Sequence, residues 1–391
     1  MRIAAIVVAL GFAAAAVTST IDRLSERSAA LAQAVPTPFR AQGWRTLAAQ
    51  ALAQHHAPGA LLQARAAVAH DPGDWRGAAL IGAAHLEQKD FAGADAAYRV
   101  SARFGWREPT TQLYWAARSL DAGDVRLASK RIDALLRQDP RMAQGTQAIA
   151  VLEVSPAGRA ALAERLSARP EWLPLFLTDL AGLDGTRLER RAIVAQALAA
   201  RGVSVGCVGI GSLVTALLSA NLPRQALDLW RSQCPTAGGN AVPVDGGLHR
   251  LGDLATPGPF DWTFPGDSDV TTGIGSFPAR SPRGGKYLGV SSTAPVAKPV
   301  MSQRLALTPG RYRLAWSAID EQGNPSSPIR PGVACFLADN LALGKVSVSK
   351  GGPFTATFAV PAGCTSQSLS FSIIPGAGAA ALTDITVKSI R

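Results

Sequence analysis

The side chains best suited to nucleophilic, general-base or metal-ligand work are few in this chain. Of its 391 residues five are histidine and four cysteine, and no motif brings a base to a nucleophile or gathers ligands for a metal. His55, His56, His70 and His85 fall on one helical stretch and its turns. HExxH, GxSxG and GxxxxGK[ST] are all absent. Gly206-Cys207-Val208-Gly209-Ile210-Gly211 has the glycines of a phosphate loop without its lysine and hydroxyl, and no acid follows at ribose distance, so it reads as a turn between helices. Asp320 and Glu321 sit in a polar turn, Asp320 to Ser327, with nothing around them to raise a carboxyl pKa. The chain therefore reads as no enzyme, without cofactor or metal. The alternative is a glycoside hydrolase or lyase with its catalytic residues in the C-terminal half, because two carboxylates suffice for that chemistry and spacing along a chain does not reveal them.

The cysteines carry a different chemistry. No CxxC is present, which argues against zinc and against redox catalysis. Four cysteines allow three complete pairings. Cys207 and Cys234 lie in one half of the chain and Cys335 and Cys364 in the other, so one disulfide in each half needs no contact between them. Such bonds belong to an exported, oxidising setting.

The elements that must position any site announce themselves by a repeat. Ala60, Ala94 and Ala128 stand 34 apart, as do Ala64, Tyr98 and Ile132, then Ala67, Ser101 and Leu135, then Pro72, Trp106 and Pro140. A constant period of this length is the signature of stacked supersecondary units. His70-Asp71-Pro72-Gly73-Asp74 and Arg137-Gln138-Asp139-Pro140 fall in phase as helix stops, since proline neither continues a helix nor tolerates one in the residue before it. After Arg141 the phase is expected to fade, leaving helices over Pro156 to Ala168, Pro170 to Leu183, Arg187 to Arg201 and a last pair within Gly211 to Trp230.

These units resemble the tetratricopeptide repeat. Trp44, Leu47, Ala48, Ala51, Ala60, Ala64, Ala67 and Pro72 follow its pattern in the first unit; Ile81, Gly82, His85, Ala94, Tyr98 and Ser101 follow it in the second; Trp115, Ala116, Ser119, Ala128, Ile132, Leu135 and Pro140 in the third. The resemblance implies an α-solenoid whose first helices line a concave, protein-binding face. Arg45, Arg76 and Arg118 would stand on that face and suit an acidic partner, because a planar guanidinium binds both oxygens of a carboxylate.

Ile3 to Ile21 is uninterrupted by charge and follows Arg2. It is long enough to span a bilayer and also serves as an export signal. Pro38 lies 34 before Pro72, so Asp22 to Gln33 reads as the second helix of a preceding half-repeat. That favours an uncleaved anchor in a bacterial inner membrane, with the rest in the periplasm; a protein secreted or periplasmic after cleavage near Gln33 is the alternative. The net charge of +11 comes mainly from arginines dispersed among acids, which suits a solvated helical surface and no nucleic acid partner.

Composition changes near residue 236 from Ala, Leu and Arg to Gly, Pro, Ser, Thr and Val. The expected division is a signal or anchor at 1–21, a solenoid at 22–236, a linker at 237–250 and an antiparallel β-sandwich at 251–391. Nine strands are expected, over Phe260–Phe264, Tyr287–Val290, Val300–Leu305, Gly310–Ala318, Gly332–Leu337, Leu343–Val348, Phe354–Val360, Ser368–Ile374 and Asp384–Ile390. The run from Leu305 to Leu314 and the closing Leu382-Thr383-Asp384-Ile385-Thr386-Val387 are similar to jelly-roll carbohydrate-binding modules. That likeness implies sugar stacking on exposed aromatics, for which Trp262 and Tyr287 are the candidates, although Trp262 shares its parity with Phe260 and Phe264 and so also suits the core. It implies as well a structural calcium, for which Asp267-Ser268-Asp269 offers carboxylates in what otherwise reads as a hydrophilic loop. Together these readings describe a multidomain α plus β chain: a membrane-anchored scaffold that binds protein through its repeats and polysaccharide through its sandwich. In architecture it is similar to accessory proteins of exopolysaccharide assembly.

Overall fold

The computed structural model describes residues 2–234, 241–250, 252, 257–275, 286–320, 325, 328–336, 340–348, 353–375 and 378–390. They form an α plus β protein in two compact units, residues 1–165 with 170–172, and residues 166–169 with 173–391.

In the first unit, α1 (Arg2–Leu24) is followed by a short 3-10 turn and α2 (Ala29–Ala34), then by the pairs α3 (Ala41–Ala53) and α4 (Ala57–His70), α5 (Trp75–Glu87) and α6 (Phe91–Ala102), α7 (Pro109–Asp121) and α8 (Val125–Leu136), and by α9 (Ala143–Val154) and α10 (Pro156–Leu166). First helices begin at Ala41, Trp75, Pro109 and Ala143, each 34 residues after the last. The phase therefore runs one helix further than the side-chain pattern shows. It is lost only at α10, which starts at Pro156 where the period would place residue 159.

Three features explain the repeat. Asp74, Asp90, Glu108 and Asp124 each accept a hydrogen bond from a backbone N–H in the first turn of the following helix, satisfying donors that a helix start leaves unpaired. Ala60, Ala94 and Ala128 are fully buried where helices pack closely. The third residue of a first helix is small, Gly43, Gly77, Thr111 or Gly145. A Cβ at Gly77 would lie 2.8 Å from Val68 and one at Gly145 2.6 Å from Leu136, on the preceding second helix. A Cβ at Gly82 would likewise meet the ring of Tyr98 at 2.8 Å.

The expected continuous helix from Asp22 to Gln33 is broken. The chain turns through Ser25–Arg27, and Ser28 caps α2 by accepting from the Leu31 N–H at 3.4 Å. The short α2 still packs as a second helix does, since a Cβ at Gly43 would stand 3.2 Å from the Ala32 carbonyl. The segment Ile6–Arg27 is apolar and long enough to cross a membrane or to act as an export signal.

The second unit begins with α11 (Leu173–Thr178), α12 (Gly185–Ala200), α13 (Gly206–Ser219) and α14 (Pro223–Gln233). Its division from the first unit does not coincide with the change of composition near residue 236. The reason is packing: Trp230 of α14 is fully buried with its ring 6.3 Å from that of Phe260. Among the described residues, antiparallel strands follow, β1 (Val270–Ile274), β2 (Leu288–Ser292), β3 (Lys298–Leu305), β4 (Gly310–Asp320), β5 (Ile329–Cys335), β6 (Ser347–Val348), β7 (Phe354–Val360), β8 (Gln367–Ile373) and β9 (Ala380–Ile390). They make a sheet in the order β1-β2-β9-β4-β7-β6 and a second in the order β3-β8-β5.

Alternate residues are buried along β4 and β7, as apolar Tyr312, Leu314 and Trp316 and Phe354, Ala356, Phe358 and Val360 require. Their pairing sets Tyr312 opposite Phe358 and Trp316 opposite Phe354 with each ring pair stacked at 5.7 Å. Trp316 also meets Phe371 of the other sheet at 6.3 Å, so one core fills the space between the sheets. Three strands differ from expectation. Of Leu343–Val348 only Ser347–Val348 forms a strand. Phe260–Phe264 contributes only a bridge from Thr263 to Ser302, because Phe260 and Trp262 are turned into tertiary contacts. Val270–Ile274 is an edge strand, half exposed and with little apolar alternation. Glu321 and residues 237–240 of the expected linker lie outside the described residues.

Candidate functional site

A groove of about 1080 Å³ opens on the first unit. Its walls come from the first helices of consecutive pairs, α3, α5 and the start of α7, with Glu26 closing one end. Residues one helical turn apart share a face, so Leu52 on α3 and Trp75, Ala79 and Leu80 on α5 supply an apolar floor. Charged groups surround it: Arg45, Arg76 and Arg107 against Glu26 and Glu108.

These charges are not equivalent. Arg45 is nearly enclosed, with 12% of its side chain exposed; it donates to Glu26 at 2.8 Å, to Asp74 and to Gln42. It is a strut between the segment after α1, helix α3 and the turn before α5. Glu108 is buried and accepts from the Thr111 N–H at the start of α7. Arg76 is half exposed, lies over the Trp75 ring at 5.8 Å and only edges Glu26 at 3.4 Å. Arg107 is exposed on the rim and forms no ion pair among the described residues. Two guanidiniums thus remain open to an incoming anion.

Of the three arginines chosen from the sequence, the structure brings Arg45 and Arg76 to one groove and leaves Arg118 outside its lining, beside Asp95 at 3.5 Å. Asp95 also accepts from the Tyr114 hydroxyl. Tyr114 stacks on Tyr98 at 4.3 Å. Burial pushes both phenols up, Tyr114 to about 12 with Asp95 adding to the shift. Sequence reasoning missed Arg107 and the acidic Glu26. The available signal was position: Arg107 precedes a first helix, and Glu26 lies in the half-repeat.

No family model matches this chain, and no curated protein is similar to it in sequence.

The residues chosen for sugar stacking are corrected by their burial. Trp262 is 4% exposed, donates from Nε1 to the Asp245 carbonyl at 3.1 Å and packs against Phe371. Tyr287 is 8% exposed, and burial raises its phenol pKa with help from Asp384. Both rings belong to the core, so neither offers a face to a sugar. At the loop considered for calcium, Asp267 holds the Lys298 ammonium at 2.8 Å, with Asp269 at 3.6 Å. That contact lowers the Asp267 pKa and raises that of Lys298, and no cluster of three potential metal ligands occurs among the described residues. The cysteines pair within halves, Cys207 with Cys234 and Cys335 with Cys364, their Cα atoms 5.1 and 5.5 Å apart. Both bonds suit an oxidising compartment.

Proposed function

We propose that this protein is a membrane-anchored periplasmic scaffold whose tetratricopeptide-like helix pairs hold an extended, acidic segment of a partner protein. The observation that carries the reading is the groove, where exposed Arg76 and Arg107 flank a floor of Trp75, Leu80 and Leu52. Apolar side chains of a peptide would fill the floor and its carboxylates would meet the guanidiniums, the first contributing affinity and the second orientation. Anchoring is supported by Asp22, which is 5% exposed and accepts three hydrogen bonds from the start of α3. Cleavage near Gln33 would remove Asp22 and leave that helix start bare, whereas an intact chain keeps the contact between the end of the apolar helix and α3.

Acidic peptides carrying apolar residues, screened against the detergent-solubilised full chain, test the groove. Micromolar binding that weakens roughly tenfold in an Arg76→Glu, Arg107→Glu variant supports the reading, since two rim charges contribute about 0.5–1 kcal/mol each. Equal binding by the variant, or none by either, rejects it.

A further inference from the structure

The second unit contains a cleft of about 1400 Å³, bounded on one side by α13 and on the other by β3, β8 and the end of β5. The geometry points to this cleft as a binding site for an acidic oligosaccharide, a chain of hydroxyl-rich sugars bearing carboxylates. The site is distinct from the peptide groove and shares no residue with it.

Charge comes first. Three charged residues line the cleft, Arg250, Asp261 and Arg304. Arg250 and Asp261 neutralise each other at 3.1 Å, and Asp261 also accepts from the Gly258 N–H at 2.9 Å. Burial nonetheless raises the Asp261 pKa. Arg304 is different. Its guanidinium carbon lies over the Phe336 ring, 3.4 Å from the centroid, and the side chain has no hydrogen bond or ion pair among the described residues. Burial lowers its pKa, and no neighbouring carboxylate opposes that shift. A half-buried guanidinium without an acceptor is costly, and stacking on an aromatic leaves its edge donors free for the two oxygens of a carboxylate.

Hydrogen-bonding capacity comes second. Ser212 and Thr215 of α13 face the cleft from one wall, and Ser302 and Ser368 from the other. A ligand that both donates and accepts along its length, as a sugar does with each hydroxyl, matches these groups. Size comes third. The volume exceeds the roughly 300–1,000 Å³ of ordinary small-molecule pockets, which favours several linked sugar units over one. The disulfide from Cys207 to Cys234 ties the start of α13 to the end of α14 and so holds one wall in place.

Titration of the full chain in detergent with tetragalacturonate, measured calorimetrically beside neutral cellotetraose, the galacturonate monomer and a tetraglutamate peptide, tests the assignment. Tetragalacturonate is expected to bind below millimolar concentration, to weaken with salt, and to outbind all three controls at least tenfold. Arg304→Gln should reduce that binding at least tenfold. Ser212→Trp, which fills the cleft from the helical wall, should abolish it. Equal binding of cellotetraose would remove the role of the carboxylate, and equal binding of the monomer would remove the extended site. Tetraglutamate binding as tightly would make the cleft a peptide site. Any of these results, no binding at all, or undiminished binding by both variants overturns the proposal. None bears on the peptide groove, which the arginines of the first unit test separately.

Discussion

The carboxylate of Asp22 accepts the Gly43 backbone N–H at 2.9 Å across a separation of 21 residues. Its other oxygen takes the N–H groups of Ala41 and Gln42. The helix pairs that follow are capped from the residue just before the helix, by Asp74 and Glu108 for the first helices. At the equivalent position α3 has Arg40, which bonds instead to the carbonyls of Gln33 and Val35. The end of the apolar helix thus supplies the cap that the first pair lacks.

Asp22→Ala is expected to destabilise the first unit by about 1–2 kcal/mol, the loss of an N-cap, and to lower its melting temperature by several degrees. Asn at the same position should recover most of the loss, because its amide oxygen also accepts. Thermal melts of the three proteins in detergent check this. A melting temperature unchanged by Asp22→Ala would mean that α3 starts without the contact.

The groove arginines should separate by role. Arg45→Ala should cost stability, because it leaves Glu26 and Asp74 without the group that joins them. Arg76→Ala and Arg107→Ala should leave melting unchanged within about 0.5 kcal/mol, as surface substitutions do, and weaken peptide binding. Arg118→Ala should leave peptide binding unaffected, since that side chain lies outside the groove. Loss of binding in Arg118→Ala with none in Arg76→Ala would move the site elsewhere.

Much of the first unit was legible because its repeat is written in small residues. Ala60, Ala94 and Ala128 gave the period, and the structure adds Gly43, Gly77 and Gly145, which mark first helices where the alanine pattern stops. The groove was half legible. Arg45 and Arg76 occupy helix positions that the period fixes, whereas Arg107 and Glu26 lie in connections whose direction no periodicity sets. In the β half, alternation found β4 and β7, where each second residue is buried. Burial of Trp262 was not legible as certain from parity with Phe260 and Phe264, because it depends on a carbonyl acceptor at Asp245 brought close by the fold. The cleft beside Arg304 joins residues more than 90 positions apart and has no local signature.

Alkaline pH should destabilise the first unit. Tyr114 ionises near pH 10 in the unfolded chain and at about 12 in the folded one, and Tyr98 is raised as well. The folded state therefore holds protons that the unfolded state loses above pH 10, so stability is full below that value and falls as pH rises towards 12. Melts at pH 9, 10 and 11 should show the fall, and Tyr114→Phe should flatten it. An unchanged slope in that variant would assign the alkaline loss to other groups.

The disulfide between Cys335 and Cys364 closes a separation of 29 residues. The chain-entropy model gives it about 3–4 kcal/mol, so Cys335→Ala paired with Cys364→Ala should lower the melting temperature of the second unit by about 10 °C. Calorimetry of the oxidised proteins checks it; free labelling of both thiols in the folded wild type would contradict the pairing.

The central claim is that the groove of a membrane-held chain carries a partner segment, and photo-crosslinking in intact membranes tests it most directly. A photoreactive residue at Ala83 or Thr110, both on the groove wall, should yield a discrete adduct whose cross-linked peptide, read by mass spectrometry, is acidic. The same probe at exposed Leu62 on α4, outside the groove lining, should yield none, and Arg76→Glu with Arg107→Glu should erase the adduct. Recovery of the protein in the soluble fraction beginning at Gln33, or adducts that ignore both the probe's position and the two charge reversals, would contradict the account.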